Sequence, residues 1–312
     1  MSDRPHPLMP LADWKQFGRR FSYRNHDIFW CDSGDFAARE ILLLIHGFPT
    51  SSWDWSALLP LLGQRFRLIT LDLIGFGWSA KPRDYDYSIA DQASLCEALL
   101  THAGVTNYHV LAHDYGDTVA QELLARRRDG GLRPQLESVC FLNGGLFPET
   151  HRPRLIQRLL SSPFGSWVAQ MTTKEKIASN MLAIAGTDYP PTADEIDGMW
   201  SLITYNEGLA VFPKLIGYMR ERRRYRGRWV GALVNAAIPL RLVDGAADPI
   251  SGAHMASRYC ELASNSDCIL LAGIGHYPQI EAPQLVADAL LNFHDTCVAP
   301  SARHKRTDAS AA

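Results

Sequence analysis

The sequence predicts an α/β fold, in which a mostly parallel sheet is flanked by helices. Short apolar runs typical of buried strands alternate with segments of helical periodicity along most of the 312 residues. The strand-like runs stop after Leu142 and resume only at Ile238, and the stretch between them has helical patterning. We therefore predict a core domain of residues 1–145 and 236–299, interrupted by a helical cap of residues 146–235.

Local composition predicts the individual elements. An antiparallel pair is expected at the sheet edge near Phe21 and Ile28, and an apolar stretch ending at Ala112 indicates a strand. Runs rich in Leu, Ile and Val predict further buried strands, whereas apolar residues three or four positions apart predict helices. These strands are expected at residues 39–45, 66–71, 137–142, 238–243 and 268–272, and helices at residues 90–103 and 118–128.

Asp114 lies where the strand ending at Ala112 meets small residues and then a helical segment. A strand that turns sharply into a helix lifts one side chain above the sheet, where it can act as a nucleophile. A carboxylate suits attack on saturated carbon, because the alkyl ester formed is stable until activated water hydrolyses it. The same residue would also fit as the N-cap of a helix starting near Tyr115, so this run alone leaves both roles open.

Two later residues complete a possible catalytic set in the order nucleophile, acid, histidine. Asp248 comes shortly after the predicted strand 238–243, and His276 follows the predicted strand 268–272. Each is unremarkable alone, since Asp-Pro is common in turns and a single histidine is often a hydrogen-bonded structural residue. Their order and their positions after strand ends favour a triad with Asp114.

The run His46-Gly47-Phe48-Pro49 follows the predicted strand 39–45. Backbone N–H groups of Phe48 and Tyr115 would converge there on developing negative charge and form an oxyanion hole. The alternative is that this run only turns the chain, as Gly and Pro do elsewhere.

Four motifs together resemble the cap-containing α/β-hydrolases of the epoxide hydrolase and haloalkane dehalogenase group. The resemblance extends from about residue 41 to residue 293, and its motifs are residues 46–53, 72–79, 113–116 and 275–278. It implies that Asp114 is the nucleophile, Asp248 the acid that orients the base, and His276 the base that activates water. It also implies an oxyanion hole at Phe48 and Tyr115.

Departures from the group's patterns bear on the reaction. Dehalogenases of this group typically have Trp after the nucleophile and often Asn after His-Gly, where this chain has Tyr115 and Phe48. The Phe resembles epoxide hydrolases, which also use two cap tyrosines as proton donors. Tyr218 matches the second donor by its spacing. The first has no evident counterpart, and neither Tyr189 nor Tyr205 can be assigned to it by motif.

The sequence is therefore compatible with three functions. The leading one is hydrolysis of an epoxide through a covalent ester on Asp114, with Tyr218 as the possible proton donor. The second keeps the same nucleophile and removes halide from a haloalkane or haloacid. The third, from another class, is a non-catalytic protein with this fold that binds a small ligand or partner.

Composition limits the kinds of substrate, cofactor and partner that we expect for this protein. The formal net charge is −2, so we expect a small, mostly apolar substrate and water rather than nucleic acid or an anionic membrane. The six cysteines lack metal-ligand or disulfide spacing, and we predict no metal and no cofactor. No apolar run approaches the roughly 18 residues of a membrane span, and no secretory leader is evident, which favours a cytoplasmic location. The sequence does not predict the oligomeric state.

Some cap and tail features allow two interpretations. An aromatic and Met group could line the substrate site or form the cap's own core, and a basic run could bind phosphate or an acidic partner, although such runs are usually solvated. A polar tail of residues 300–312 is expected to be disordered. The apolar group is Phe164, Trp167, Met171, Met199 and Trp200, and the basic run is Arg220, Arg222, Arg223, Arg224, Arg226 and Arg228.

Overall fold

The computed structural model describes residues 6–34, 40–131, 134–263 and 267–300, and within them eight strands form one sheet. The strand order is β1-β2-β4-β3-β5-β6-β7-β8, antiparallel at β1-β2 and β2-β4 and parallel elsewhere. The predicted mostly parallel sheet is therefore confirmed. The strands are β1 (Arg19–Tyr23), β2 (His26–Asp32), β3 (Glu40–Ile45), β4 (Phe66–Leu71), β5 (Asn107–His113), β6 (Gln135–Leu142), β7 (Leu240–Gly245) and β8 (Cys268–Leu271).

Several strand predictions match closely. Strand β4 has the predicted bounds, and Phe21 lies opposite Ile28 in the edge pair. Strand β7 begins two residues later than predicted, because Pro239 has no N–H for the sheet, and it continues to Gly245. The central strands are apolar on both faces since helices cover both sides of a parallel sheet.

Helices fill the connections between the strands. Helix α3 matches its prediction within one residue, whereas α4 starts three residues earlier than expected. The helices are α1 (Leu11–Phe17), α2 (Leu59–Leu62), α3 (Ile89–His102), α4 (Tyr115–Arg128), α5 (Leu155–Leu160), α6 (Gly165–Gln170), α7 (Lys174–Leu182), α8 (Ala193–Thr204), α9 (Phe212–Leu215), α10 (Tyr218–Arg224), α11 (Arg226–Val234), α12 (Ala253–Leu262), α13 (Pro278–Glu281) and α14 (Pro283–Phe293). Shorter 3₁₀ or π segments cover Ser52–Leu58, Tyr205–Val211 and His294–Val298.

Helices α5 to α11 all lie between β6 and β7, where the sequence predicted a helical stretch. The last of them returns to the core, because the Trp229 indole N–H in α11 donates a 2.8 Å hydrogen bond to Glu122 in α4. Residues 301–312 of the expected tail lie outside the described residues. Among the helices described, none has the length and apolar character that crossing a membrane requires.

Both interpretations of the aromatic and Met group in the predicted cap are wrong for its first three members. Phe164 and Trp167 are 72% and 64% exposed, and Met171 is 47% exposed, so they neither line a site nor form a cap core. Met199 is buried, and Trp200 is partly buried against the main core. These exposed residues lie on or beside the short helix α6, which has one buried edge formed by Gly165 and Ala169.

Candidate active site

Asp114 sits at a sharp turn between β5 and α4, with φ 48° and ψ −103°. A non-glycine residue with positive φ is strained by about 1–3 kcal/mol, which surrounding contacts must offset. Its side chain makes no capping hydrogen bond to α4, so the N-cap alternative is not supported. Gly116 permits the turn, because a Cβ there would lie 2.2 Å from the carbonyl oxygen of Ile45.

The Asp114 carboxylate contacts the loop after β3. The Phe48 N–H donates a 3.1 Å hydrogen bond to Oδ2 of Asp114, as expected for one oxyanion donor. The described hydrogen bonds include none from the Tyr115 N–H to this carboxylate, so the second predicted donor is not part of this contact. Gly47 allows the close approach, since a Cβ at Gly47 would lie 2.9 Å from Cβ of Asp114.

His46 fixes the shape of the same loop. Its Nε2 accepts the Leu73 N–H at 3.1 Å, so the proton of the neutral ring lies on Nδ1 and is donated to the Gly47 carbonyl at 2.9 Å. Complete burial lowers the pKa of His46, which keeps the ring neutral. This histidine therefore has a structural explanation and is not required as a base.

His276 and Asp248 are joined as the sequence predicted. Nδ1 of His276 lies 2.8 Å from Oδ2 of Asp248, and both residues are 3% exposed. Burial alone would lower the pKa of His276, but the charge and hydrogen bond of Asp248 outweigh it and raise the pKa to about 9. Burial would raise the pKa of Asp248, yet the charge of His276 and the hydrogen bonds hold it well below its usual range.

Asp248 is oriented by groups that the sequence analysis did not single out. Asn143, after β6, donates to Oδ2 of Asp248 at 3.1 Å, and the Ser251 hydroxyl donates at 2.9 Å. The backbone N–H of Ile250 donates to Oδ1 at 2.7 Å. These donors stabilise the charged form of Asp248. They also hold the carboxylate in the position where it accepts a hydrogen bond from Nδ1 of His276.

Tyr218 in α10 is fully buried beside the turn between β5 and α4, with its ring 4.8 Å from that of Tyr115. Its hydroxyl oxygen has no hydrogen-bond partner among the described residues. Burial, and then the charge of Asp114, raise the pKa of Tyr218, so the phenol stays protonated. Tyr205 is 37% exposed against Lys81, and Tyr189 borders a separate hollow. Neither supplies an evident first donor.

Of the two interpretations of the basic run, the solvated face does not hold for Arg222. It is 2% exposed, and its Nη2 lies 3.7 Å from Oδ1 of Asp114. Its Nε donates to the Thr118 hydroxyl at 2.8 Å, and its guanidinium lies 4.5 Å from the centre of the Tyr218 ring. Arg226, by contrast, forms an ion pair with Glu149 near the surface.

His151 is a further site residue that the sequence analysis did not assign. Both of its ring nitrogens are buried without a hydrogen-bond partner among the described residues. Burial, and then the charge of Arg222, lower the pKa of His151 to about 3, so the ring is neutral. Gly145 separates the two side chains: a Cβ there would lie 2.1 Å from Nη1 of Arg222 and 3.1 Å from Nδ1 of His151.

An apolar pocket of about 70 Å³ adjoins this site. It reaches both Phe48 and His276, and the ring of Phe212 from α9 lies 5.0 Å from that of Phe48. Its other apolar lining residues include Leu160, Ile177, Met181, Ile184, Ile250 and Tyr277. Such a pocket fits a hydrocarbon portion of a small substrate.

Comparisons with known proteins agree with this architecture. A family model described as the alpha/beta hydrolase family matches residues 42–289. The mesoderm-specific transcript protein of Mus musculus is 40% identical over 301 residues, which cover 93% of this chain and 89% of the mouse protein.

Two solved structures are similar in fold. A loop variant of the haloalkane dehalogenase DbeA from Bradyrhizobium elkanii has a TM-score of 0.75 at 20% identity, covering 92% of this chain and 99% of its own. The epoxide hydrolase CorEH has a TM-score of 0.71 at 19% identity, covering 89% of this chain and 98% of its own. These identities support the fold alone, and the predicted fold class is confirmed.

Proposed function

Because this chain belongs to the alpha/beta hydrolase family, we propose that it is an epoxide hydrolase acting through a covalent ester on Asp114. The observation that carries the proposal is the carboxylate on the strained turn. One of its oxygens, Oδ2, accepts the Phe48 N–H. The other, Oδ1, is left to attack carbon, and residues 146–235 act as a cap that excludes water from this step.

In the first half-reaction, Oδ1 of Asp114 attacks a ring carbon and the bond from that carbon to the epoxide oxygen breaks. The released oxygen takes the proton of the Tyr218 phenol, which burial keeps protonated. The Phe48 N–H stays on the second carboxylate oxygen, which becomes the ester carbonyl. The product of this step is a hydroxyalkyl ester on Asp114.

In the second half-reaction, water attacks the ester carbonyl carbon while His276 takes its proton. The Phe48 N–H then faces the developing oxyanion. After the charge and hydrogen bond of Asp248, the charge of Asp114 is a further cause of the raised pKa of His276, so forming the ester lowers that pKa and favours the imidazole as a base. Collapse of the tetrahedral intermediate breaks the bond from the acyl carbon to the alkyl oxygen, and this oxygen takes the hydrogen that remained on the attacking water. The vicinal diol leaves, the Asp114 carboxylate is regenerated, and the proton on His276 passes to the Tyr218 phenolate.

Dehalogenation is less well supported. Tyr115 occupies the place where a halide-binding Trp is typical, and its hydroxyl lies 3.5 Å from the carbonyl oxygen of Tyr87. Its side chain therefore offers no indole N–H to a leaving halide. The hydrogen-bonded pair of His276 and Asp248 weighs against a protein that only binds a ligand.

Single-turnover mass spectrometry of the His276→Gln protein tests the proposal. With styrene oxide, 1,2-epoxyhexane and glycidamide, we expect Asp114 to gain the full mass of the epoxide, because alkylation proceeds while ester hydrolysis is blocked. The Asp114→Asn protein is the control and should gain none. Bromide release from bromoalkanes with an alkyl adduct, and no epoxide adduct, would establish the dehalogenase instead. Absence of an adduct across both panels would argue for a binding protein.

A further inference from the structure

We propose that Arg222 and His151 form an anion subsite beside Asp114, so that the preferred substrates are small epoxides bearing a carboxylate next to the ring. This inference rests on the proposed function, since it names the class of epoxide that the same site accepts. It starts from unmade hydrogen bonds. Neither Nη1 nor Nη2 of Arg222 forms a hydrogen bond of ordinary length among the described residues, although the side chain is only 2% exposed. The Tyr218 hydroxyl beside the guanidinium interacts with it but supplies no negative charge.

A buried guanidinium is normally fully hydrogen-bonded, because a charge removed from water must be compensated by close partners. Asp114 does not supply this, as 3.7 Å from Nη2 to Oδ1 is beyond hydrogen-bond length. The bond from Nε to the Thr118 hydroxyl fixes the guanidinium plane. The two terminal nitrogens are thereby held as a planar fork, which matches the two oxygens of a carboxylate.

His151 extends this fork. Its ring is neutral, so one of its two buried nitrogens carries a hydrogen that can be donated to an anion. The side chains of Arg222 and His151 lie on either side of Gly145, where a Cβ would overlap Nη1 of Arg222. A glycine at this position is therefore required for the cationic group to reach the site.

The charges of the covalent intermediate favour the same conclusion. Burial, and then the charge of Asp114, raise the pKa of Asp117 well above its usual range against the opposing charge of Arg222, which disfavours an ionised Asp117 beside the guanidinium. When Asp114 becomes an ester its negative charge disappears, and Arg222 loses the counter-charge that lies 3.7 Å from its Nη2. A substrate carboxylate would restore the balance in the intermediate, whereas a neutral substrate would leave a buried cation unpaired.

Glycidate and glycidamide provide a matched test, because they differ only in a carboxylate against a carboxamide. We expect wild-type protein to have a kcat/KM for glycidate about 100-fold above that for glycidamide, the range for a buried charge pair. In Arg222→Gln this ratio should fall to about 1. Arg220→Gln is the control, since Arg220 lies on the same helix and is exposed, and it should keep the wild-type ratio.

Binding provides a readout that needs no turnover. Cyclopropanecarboxylate has the shape of glycidate without a reactive oxygen. Calorimetry should show that wild-type protein binds it more tightly than cyclopropanecarboxamide, whereas Arg222→Gln should bind the two compounds with similar affinity. Equal ratios in wild type and Arg222→Gln, with folding confirmed by circular dichroism, would overturn the inference. If His276→Gln is trapped by glycidamide in that case, the proposed function stands alone. If neither compound forms an adduct, the proposed function fails with it.

Discussion

The backbone N–H of Phe48 donates a 3.1 Å hydrogen bond to Oδ2 of Asp114 and so joins the loop after β3 to the turn after β5. These strands are neighbours and parallel, so their carboxyl ends lie at the same edge of the sheet. The contact needs close approach of the two backbones, and glycines at 47 and 116 allow it. The position of the candidate nucleophile therefore depends on the small size of residues that carry no chemistry.

Gly116→Ala is expected to destabilise the protein. Its Cβ would lie 2.2 Å from the Ile45 carbonyl oxygen and 2.8 Å from that of His46, and backbone atoms of a central strand have little room to move. We expect a loss of about 2 kcal/mol in the free energy of unfolding, measured with urea. Gly227→Ala is the control: its Cβ would meet nothing within 4 Å, and Ala is favoured in a helix by up to about 1 kcal/mol. Similar stabilities for the two variants would contradict this account.

The raised pKa of His276 predicts a loss of stability in mild alkali. Its folded pKa of about 9 lies above the ordinary value of 6.5. The protonated pair with Asp248 therefore stabilises the fold fully below pH 6.5, and this contribution is lost as pH rises through 9. By linkage it is of the order of 3 kcal/mol.

The measurement is the free energy of unfolding at pH 6, 7.5 and 9 for wild type and His276→Gln. The difference between the two proteins should shrink across this range, because only wild type loses the ion pair. Titrating groups remote from His276 are common to both proteins and cancel in the difference. Parallel stability curves for the two proteins would show that His276 titrates at its ordinary pKa.

The sequence predicted the sheet, and it placed the residues of the candidate triad after strand ends, because both leave local patterns. The run at 66–71 is apolar on both faces and gave the bounds of β4. Asp248 and His276 both follow strand ends, and the carboxyl ends of parallel strands lie at one edge of the sheet. Their positions along the chain therefore predict that their side chains lie close together in the fold. Their 2.8 Å contact agrees with that reasoning.

The sequence did not assign Arg222 and His151 to the site, because they lie in segments outside the strands, where no alternating pattern predicts which way a side chain points. Arg222 stands in a run of arginines that resembles a solvated face, and only its spacing of four residues from Tyr218 places both on one side of α10. That spacing is the feature that could have identified it. His151 follows β6 in a loop, and no periodicity predicts where a loop side chain points. Phe164 and Trp167 were misjudged for a related reason, since hydrophobicity does not decide burial on short helices.

Buried neutral histidines predict steep destabilisation by acid. Burial lowers the pKa of His109 to about 3, against an ordinary 6.5. Between these values the unfolded chain binds a proton that the folded protein does not, so the free energy of unfolding falls as pH falls. The slope from this one residue is about 1.4 kcal/mol per pH unit.

His109→Gln should therefore have a shallower fall in stability than wild type between pH 6 and pH 4, measured by urea unfolding. Gln can keep a hydrogen bond to the Ser138 hydroxyl, which lies 2.8 Å from Nδ1 of His109. The control is His102→Gln, because His102 is an exposed residue whose ring lies against Phe21 and Trp30 at the protein surface. It should retain the wild-type slope, and equal slopes in all three proteins would contradict the prediction.

Glu122 in α4 links the last helix of the insertion, α11, to the core, and we expect this link to contribute to stability. Its buried carboxylate accepts hydrogen bonds from the Trp229 indole and from Nε of Arg228, both at 2.8 Å, and from Nε of Arg126 at 3.0 Å. Glu122→Ala leaves these donors unpaired, so we expect a loss of about 3 kcal/mol in the free energy of unfolding. Asp129→Ala is the matched control, because Asp129 also binds Arg228, at 2.5 Å, but is 44% exposed. It should cost less than about 1 kcal/mol. Comparable losses in the two variants would show that burial of Glu122 does not determine the strength of this connection.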